Sequence, residues 1–453
     1  MAKGSVRSIV LLAGLVWACC SMAADDNDMA AREAAVEQHV MALERSAEQD
    51  PQALLESFER ERFSAAYLAE TTRDERSALL AEIAAAAAQA GGIMVDAVGD
   101  DIHLVLHGRE TKVVVFRPES RSPFAIDALR VQAGAPPLQL GWDDLAAHFA
   151  ELERNGFAGV VHASRDGDTV LERAYGKSNR ELGYDTNLDT VYGIGSTPID
   201  FTVSAIFLLA QQEKIALDES VSSYLDGVPE DKRGMTVRHL ISGASGLPDF
   251  HDRPGDWDAD LAWIDRETAV QRILAQPLLF APGSSNAHSH SAYGLAAAVI
   301  ERVSNETYFD FLRKNFFEPA GMSRTGMYGT DLGLGIREFA VGYGPSSVGV
   351  PNIPPNWGPT SWLVLGSGGM SSTLGDMLRF YAFVRSDKLL EERFARRYLG
   401  EGVGIGGSER GFFFFHANRG SDAEVMVLVN GEGRTPAMQA LVMALEGLVM
   451  RGD

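Results

Sequence analysis

Cysteine is almost missing from this chain. The only two, Cys19 and Cys20, stand side by side near the N-terminus. They lie in a short apolar core, residues 9–20, which follows Lys3 and Arg7 and precedes the small residues Ser21-Met22-Ala23. A basic start, a brief apolar run and a small-residue site form the pattern of a secretory signal over residues 1–24, cut before Ala24 or Asp25. Lipoprotein processing at Cys19 is a second reading, but Trp17 fits its recognition box poorly, so ordinary cleavage is favoured. The mature chain then has no cysteine, which excludes disulfides and thiol chemistry. It is expected in the periplasm or secreted. No later run of 18 apolar residues follows, so no membrane span is expected after cleavage. Positive charge is also short: 40 Lys and Arg stand against 62 Asp and Glu, a net charge of −22. That balance argues against nucleic acid and anionic membrane surfaces as partners.

What is present is enough for more than one domain. The 453 residues are 45% apolar, which supports a sizeable core, and two domains are expected. Residues 28–91 read as Ala- and Glu-rich helices, with the run 77–90 strongly helical and Gly91-Gly92 stopping it. Short strand-like runs follow at 93–98, 102–106, 112–116 and 126–131, separated by turn material such as Gly99-Asp100-Asp101. Residues 25–132 are therefore expected to form a small α+β domain. His103 and His107 in it read as surface histidines rather than a metal pair. No catalytic constellation stands out there, and the domain is a candidate surface for a protein partner. Residues 133–139, with Ala135-Pro136-Pro137, read as a linker. A helix over 142–153 and a hairpin of strands 157–163 and 169–175, turning at Arg165-Asp166-Gly167-Asp168, open the second domain at residue 140.

The second domain is organised around Tyr192-Gly193-Ile194-Gly195-Ser196-Thr197-Pro198-Ile199-Asp200-Phe201. A strand-like run ends in two glycines, and an apolar run of helical spacing begins at Ile199. Pro198 suits a first helical turn, where its missing N–H costs nothing. Ser196 should therefore sit at a helix mouth, where unpaired N–H groups and the positive dipole end favour negative charge on its oxygen. That suits a nucleophile. Serine is also a frequent N-cap, and the local residues alone leave both readings open.

With Phe201 and Thr202, this stretch resembles the active-site segment of the β-lactamase-related serine hydrolases, the family of class C β-lactamases, penicillin-binding D-Ala-D-Ala peptidases and related esterases. That segment reads glycine-Ser-x-x-Lys-x-Phe-Thr. Here the lysine position is Ile199, and isoleucine can neither take the serine proton nor favour the alkoxide. The resemblance runs on through Leu217-Asp218-Glu219-Ser220-Val221, Thr236-Val237-Arg238-His239-Leu240, Ser245-Gly246-Leu247, Pro282-Gly283, Glu318-Pro319-Ala320-Gly321-Met322 and Gly366-Ser367-Gly368-Gly369-Met370. It covers roughly residues 140–448. It implies an α/β (α+β) fold of the β-lactamase/transpeptidase type, an antiparallel sheet flanked by helices with an all-helical lobe.

The resemblance also implies where the chemistry would lie. The family's Tyr-x-Asn, counted from Pro282-Gly283, falls on His288-Ser289-His290. An imidazole titrates near working pH, so His288 is a candidate base for Ser196, with His290 nearby as a substrate contact. Loss of function by drift after loss of the lysine is the alternative. The family's Lys-Thr-Gly or His-x-Gly strand matches Gly404-Ile405-Gly406-Gly407-Ser408-Glu409-Arg410. Its cation position is Ile405. The backbone N–H groups of Ser196 and of Ser408 or a close neighbour are candidates for an oxyanion hole, and Arg410 for a replacement cation. Residues 344–361 read as a loop beside the cleft, with Trp357 and Trp362 able to line it. A metal on His288 and His290 would need ligands that the sequence does not supply nearby, so neither metal nor cofactor is expected.

Two functions follow. One is an exported hydrolase of a small-molecule ester, amide or peptide, using Ser196 and His288. The other is a silent pseudoenzyme that binds a ligand or protein in the old cleft. His288 within hydrogen-bond reach of Ser196 Oγ favours the first, and a gap above about 5 Å with apolar filling favours the second.

Overall fold

The computed structural model describes residues 8–9, 26–90, 92–98, 100–108, 110–134, 138–250, 263–345, 347–386, 389–391, 394, 404–420, 422–431, 433 and 435–451. Residues 10–25, which carry the apolar core and cleavage site of the expected signal, lie outside them. By contacts the chain divides into two units, residues 1–139 with 439–444 and residues 140–438 with 445–453.

The first unit contains β1 (Ser8–Ile9), then α1 (Asp26–Glu44), α2 (Pro51–Glu61), α3 (Ala65–Glu70) and α4 (Arg73–Gln89). Four further strands are β2 (Gly92–Val98), β3 (Asp101–His107), β4 (Thr111–Pro118) and β5 (Ile126–Ala133), and the sheet order is β1-β2-β3-β4-β5. Local chemistry starts the helices. Asp50 caps α2 with Pro51 in its first turn, and Thr72 with Glu75 forms a reciprocal capping box on α4. Strand alternation then sorts the core. Ile102, Leu104 and Leu106 join the cluster of Phe58, Leu80 and Ile83, while Val105, Val113 and Val115 form a separate one.

The second unit begins with α5 (Leu145–Arg154), followed by the hairpin β6 (Gly159–Arg165) and β7 (Asp168–Tyr175). Short strands β8 (Lys177–Asn179), β9 (Tyr184–Asp185) and β10 (Tyr192–Gly193) lead into α6 (Pro198–Gln211). The helical part continues with α7 (Val237–Leu240), α8 (Arg266–Leu274), α9 (His290–Ser304), α10 (Tyr308–Leu312) and α11 (Glu318–Ala320). After β11 (Gly326–Met327), β12 (Met370–Ser372) and α12 (Leu374–Arg385), the chain returns as β13 (Gly404–Glu409), β14 (Phe412–Arg419) and β15 (Ala423–Val429). It closes on α13 (Pro436–Arg451).

The main sheet runs β13-β14-β15-β6-β7, every pair antiparallel. Its strands follow their composition. The run Phe412-Phe413-Phe414-Phe415 is buried along its length, as an interior strand covered on both faces must be, whereas β7 leaves Asp168, Thr169 and Val170 exposed at the edge. Helix α6 is apolar nearly all round and is buried from Pro198 to Leu209. It packs against α9 within one cluster that also takes in Tyr192, Phe317 and Phe380. An antiparallel sheet with helices packed around a central buried helix is the α+β, β-lactamase/transpeptidase-like architecture that the resemblance implies.

Candidate functional site

Ser196 sits in a turn between β10 and α6, half-buried, with Gly195 before it in the left-handed region at φ 54°. The Gly195 amide donates to Glu409 Oε1 at 3.0 Å, and the Tyr328 hydroxyl donates to the same oxygen. Thr197, not Ser196, precedes the first helical residue, and it makes no side-chain cap. The Ser196 carbonyl accepts the Ile199 amide at 3.1 Å, while its hydroxyl points elsewhere. Ser196 Oγ lies 3.1 Å from His290 Nε2. Ile199, at the lysine position, is 7% exposed and belongs to the core cluster.

His290 opens α9, where Ser289 is the N-cap and accepts the Ala292 amide. Behind it stands Asp249. Asp249 Oδ2 accepts the His290 backbone N–H at 3.0 Å and lies 2.6 Å from His290 Nδ1. Both side chains are close to fully buried. An ionised carboxylate only accepts hydrogen bonds, so it fixes the proton on Nδ1 and leaves the Nε2 lone pair facing Ser196 Oγ. A serine, an imidazole and a carboxylate are thus in line, the order in which a nucleophile, a base and its orienting group would stand. The segment carrying Asp249 is tied down by Gly246, at φ 76°, where an added Cβ would lie 2.1 Å from the Phe280 carbonyl oxygen.

The hydrogen bond expected from His288 is made by His290. The reason lies in the helix start: His290 is buried on the first turn with its ring held by Asp249, while His288 lies two residues earlier on an exposed loop. His288 Nε2 is 3.4 Å from His290 Nε2, with the rings at 88° to each other. Tyr293, whose ring centroid is 6.1 Å from that of His288, offers no base at neutral pH. Burial, helped by the Asp200 carboxylate, pushes its phenol up to about 12.

Strand β13 passes directly beside the serine. A Cβ placed on Gly407 would lie 2.6 Å from the Ser196 amide nitrogen, so only glycine permits this approach. The next amide on the strand is that of Ser408. Arg410, at the β13–β14 turn, is buried with its guanidinium 4.8 Å from the Trp357 ring and 5.6 Å from the Tyr328 ring. Stacked there, it is a packing group of the wall rather than an outward cation. Trp357 is itself buried, its Nε1–H donating to Asn352 Oδ1 at 2.9 Å. His239 caps α7, its Nδ1 accepting the Thr236 amide at 3.2 Å.

Two residues escaped the sequence reading. Asp249 is 41 positions from His290, and no spacing rule links them; only its place just after Gly246-Leu247-Pro248 hinted at the cleft. Glu409 lay inside the quoted glycine-rich strand but had no partner in sequence to suggest that it would hold the Gly195 turn.

The comparisons agree with this geometry at the level of fold. The Beta-lactamase family model matches residues 142–441. Penicillin-binding protein 4* of Bacillus subtilis (strain 168) is 26% identical over 250 residues, 53% of this chain and 55% of that protein. The D-aminopeptidase of Brucella anthropi is 30% identical over 253 residues, 54% of this chain and 46% of that one. Esterase EstB of Burkholderia gladioli is 25% identical over 301 residues, 57% and 74% of the two chains. The chain thus spans about half the length of the first of these curated relatives. Among solved structures, a penicillin binding protein from Bacillus halodurans superposes with a TM-score of 0.55 at 23% identity, over 67% of this chain and 98% of that one. With the family model matching well over half of its residues, the chain belongs to the beta-lactamase family.

Proposed function

We propose that this chain is a serine hydrolase of esters or amides that works through the family's serine, Ser196, with His290 and Asp249 in place of the family's lysine and tyrosine. As Ser196 Oγ bonds to the substrate carbonyl carbon, its proton passes to His290 Nε2, and Asp249 steadies the imidazolium. The Ser196 and Ser408 amides receive the carbonyl oxygen as it becomes negative. Collapse expels the alcohol or amine, which takes the proton from His290. Water then repeats the sequence on the acyl-serine and restores the free serine. The observation that carries this reading is the 3.1 Å contact of Ser196 Oγ with His290 Nε2, backed by the 2.6 Å contact of His290 Nδ1 with Asp249.

Neutral substrates fit best. The family's carboxylate-binding cation position holds Ile405, and Arg410 is packed on aromatic rings, so penicillins and D-Ala peptides lose their anchor. The names of the relatives, a D-aminopeptidase and an esterase, point to the same reaction class. The basic and apolar N-terminus supports export. No described helix is long and apolar enough to cross a membrane.

The test is labelling of the purified full chain with a fluorescent fluorophosphonate. Wild type is expected to label. Ser196→Ala should abolish the signal and His290→Ala should reduce it by about 10²-fold or more. A folded wild type that does not label would sink the triad and favour the silent cleft binder.

A further inference from the structure

The second histidine has no task in the triad. His288 is exposed, yet its Nε2 stands 3.4 Å from the Nε2 of His290. For an N–H···N hydrogen bond that distance is long. For two nitrogens on one cation it is well matched. Zinc binds imidazole at about 2.0–2.1 Å, so two such ligands at a tetrahedral angle lie about 3.3–3.4 Å apart. Asp249, His288 and His290 are also the one group of three such side chains, among the described residues, whose ligand atoms gather within 4.8 Å of one another. Asp249 already holds Nδ1 of His290, the carboxylate–histidine pairing that fixes a metal-binding tautomer and raises ligand basicity.

We infer that His288 and His290 form a binding site for a borderline divalent cation, zinc, and that zinc there is a reversible brake on Ser196. The two Nε2 atoms are the protein's nitrogen ligands. Zinc on His290 Nε2 takes the place that the Ser196 hydroxyl holds at 3.1 Å from that nitrogen, so the hydroxyl must swing aside, and water fills the remaining positions. Asp249 stays behind His290 as its support. Imidazole pairs select zinc over magnesium or calcium, which prefer oxygen. A cation on Nε2 of His290 occupies the lone pair that takes the Ser196 proton, so bound enzyme loses its base. The binding site stands on geometry alone; the braking rests on the triad proposed above.

The experiment uses tag-free, metal-stripped full chain. Zinc is titrated against a chromophoric chelator, with magnesium as control, and fluorophosphonate labelling is followed in parallel. One zinc per chain is expected, with no magnesium effect. His288→Gln and His290→Gln should each weaken zinc by at least about tenfold, and Asp249→Asn by about 10–100-fold. Labelling should fall as zinc saturates and return on adding chelator. X-ray absorption at the zinc edge of the wild-type complex should report two imidazoles, which covers the case of a variant that does not fold. Absence of stoichiometric zinc, fewer than two imidazoles, or unchanged affinity in folded His288→Gln and His290→Gln overturns the site. Zinc binding with labelling unaffected at saturation overturns the brake. Labelling without zinc binding leaves the triad standing and removes only this inference. Zinc bound through both histidines, with no labelling of metal-free protein, keeps the metal pair and removes the triad.

Discussion

At the scale of single residues, the site turns on which of two neighbouring histidines meets the serine. By motif position the base falls on His288, where the family has its tyrosine, and His290, at the asparagine position, is left as a substrate contact. In the fold, the start of α9 separates them. The first-turn position buries His290 and offers its amide and ring together to one oxygen of Asp249. That oxygen decides the tautomer, and so it decides whether Nε2 can accept a proton. Asp249→Asn keeps the shape but allows the amide to donate to Nδ1, which moves the imidazole proton to Nε2. It should lower kcat by about 10⁴-fold with little change in KM. Steady-state kinetics on any ester that the chain proves to hydrolyse would check this. A drop confined to KM would show that Asp249 binds substrate instead of orienting the base.

At the scale of elements, the sequence was most legible where one local rule acts. Helix α4 ends at Gln89, just before the expected stop, although its capping box starts it four residues ahead of the expected run, and the hairpin turns at Asp166-Gly167 as expected. The glycine-rich strand β13 was found by its likeness to a family motif, yet its role comes from a contact across the fold. Gly407 is a glycine because the Ser196 amide occupies the space of a side chain. A methyl group at that position must push β13 away from the serine, and it takes the Ser408 amide with it. Gly407→Ala should therefore reduce kcat by about 10²–10³-fold, the loss typical of one oxyanion donor. Thermal stability and fluorophosphonate labelling, measured on the same sample, distinguish this from simple unfolding. Full activity in a folded Gly407→Ala would remove β13 from the site.

At the scale of the whole molecule, stability should depend on pH through buried groups outside the proposed triad. His416 on β14 is fully enclosed, and burial lowers its pKa despite the hydrogen bond to Glu424. It is neutral in the fold and would gain a proton below about 6.5 once exposed. Its contribution is complete above that value and declines as pH falls through the lowered one. His39 and His107 are shifted the same way by burial. Burial also works against the charge of Glu424, but the His416 hydrogen bond and the Arg385 guanidinium outweigh it and bring the carboxyl down to about 2. Its contribution is present above the ordinary glutamate range and is lost as pH falls towards about 2. Urea midpoints should thus be highest above pH 6.5, fall below it, and fall again below about pH 4.5. Glu424→Gln should weaken the second stage and cost roughly 3–5 kcal/mol, because it strips a buried partner from Arg385. A flat profile between pH 8 and pH 5 would contradict the neutral state of His416.

The family, the order of elements in the second domain and a serine just ahead of a helix could all be read from the chain alone. These are set by patterns read along the chain: apolar periodicity, glycine and proline punctuation, and motif spacing over a few residues. The sequence also showed that the lysine of the family was gone at Ile199. The tertiary structure alone decided what stands in its place. Asp249, His290 and Glu409 come from three separate stretches and meet at Ser196 only when α6, α9 and β13 are packed. Hydrogen bonds of about 3 Å select one side chain among near neighbours, and no local propensity carries that information across 41 or 214 positions of chain.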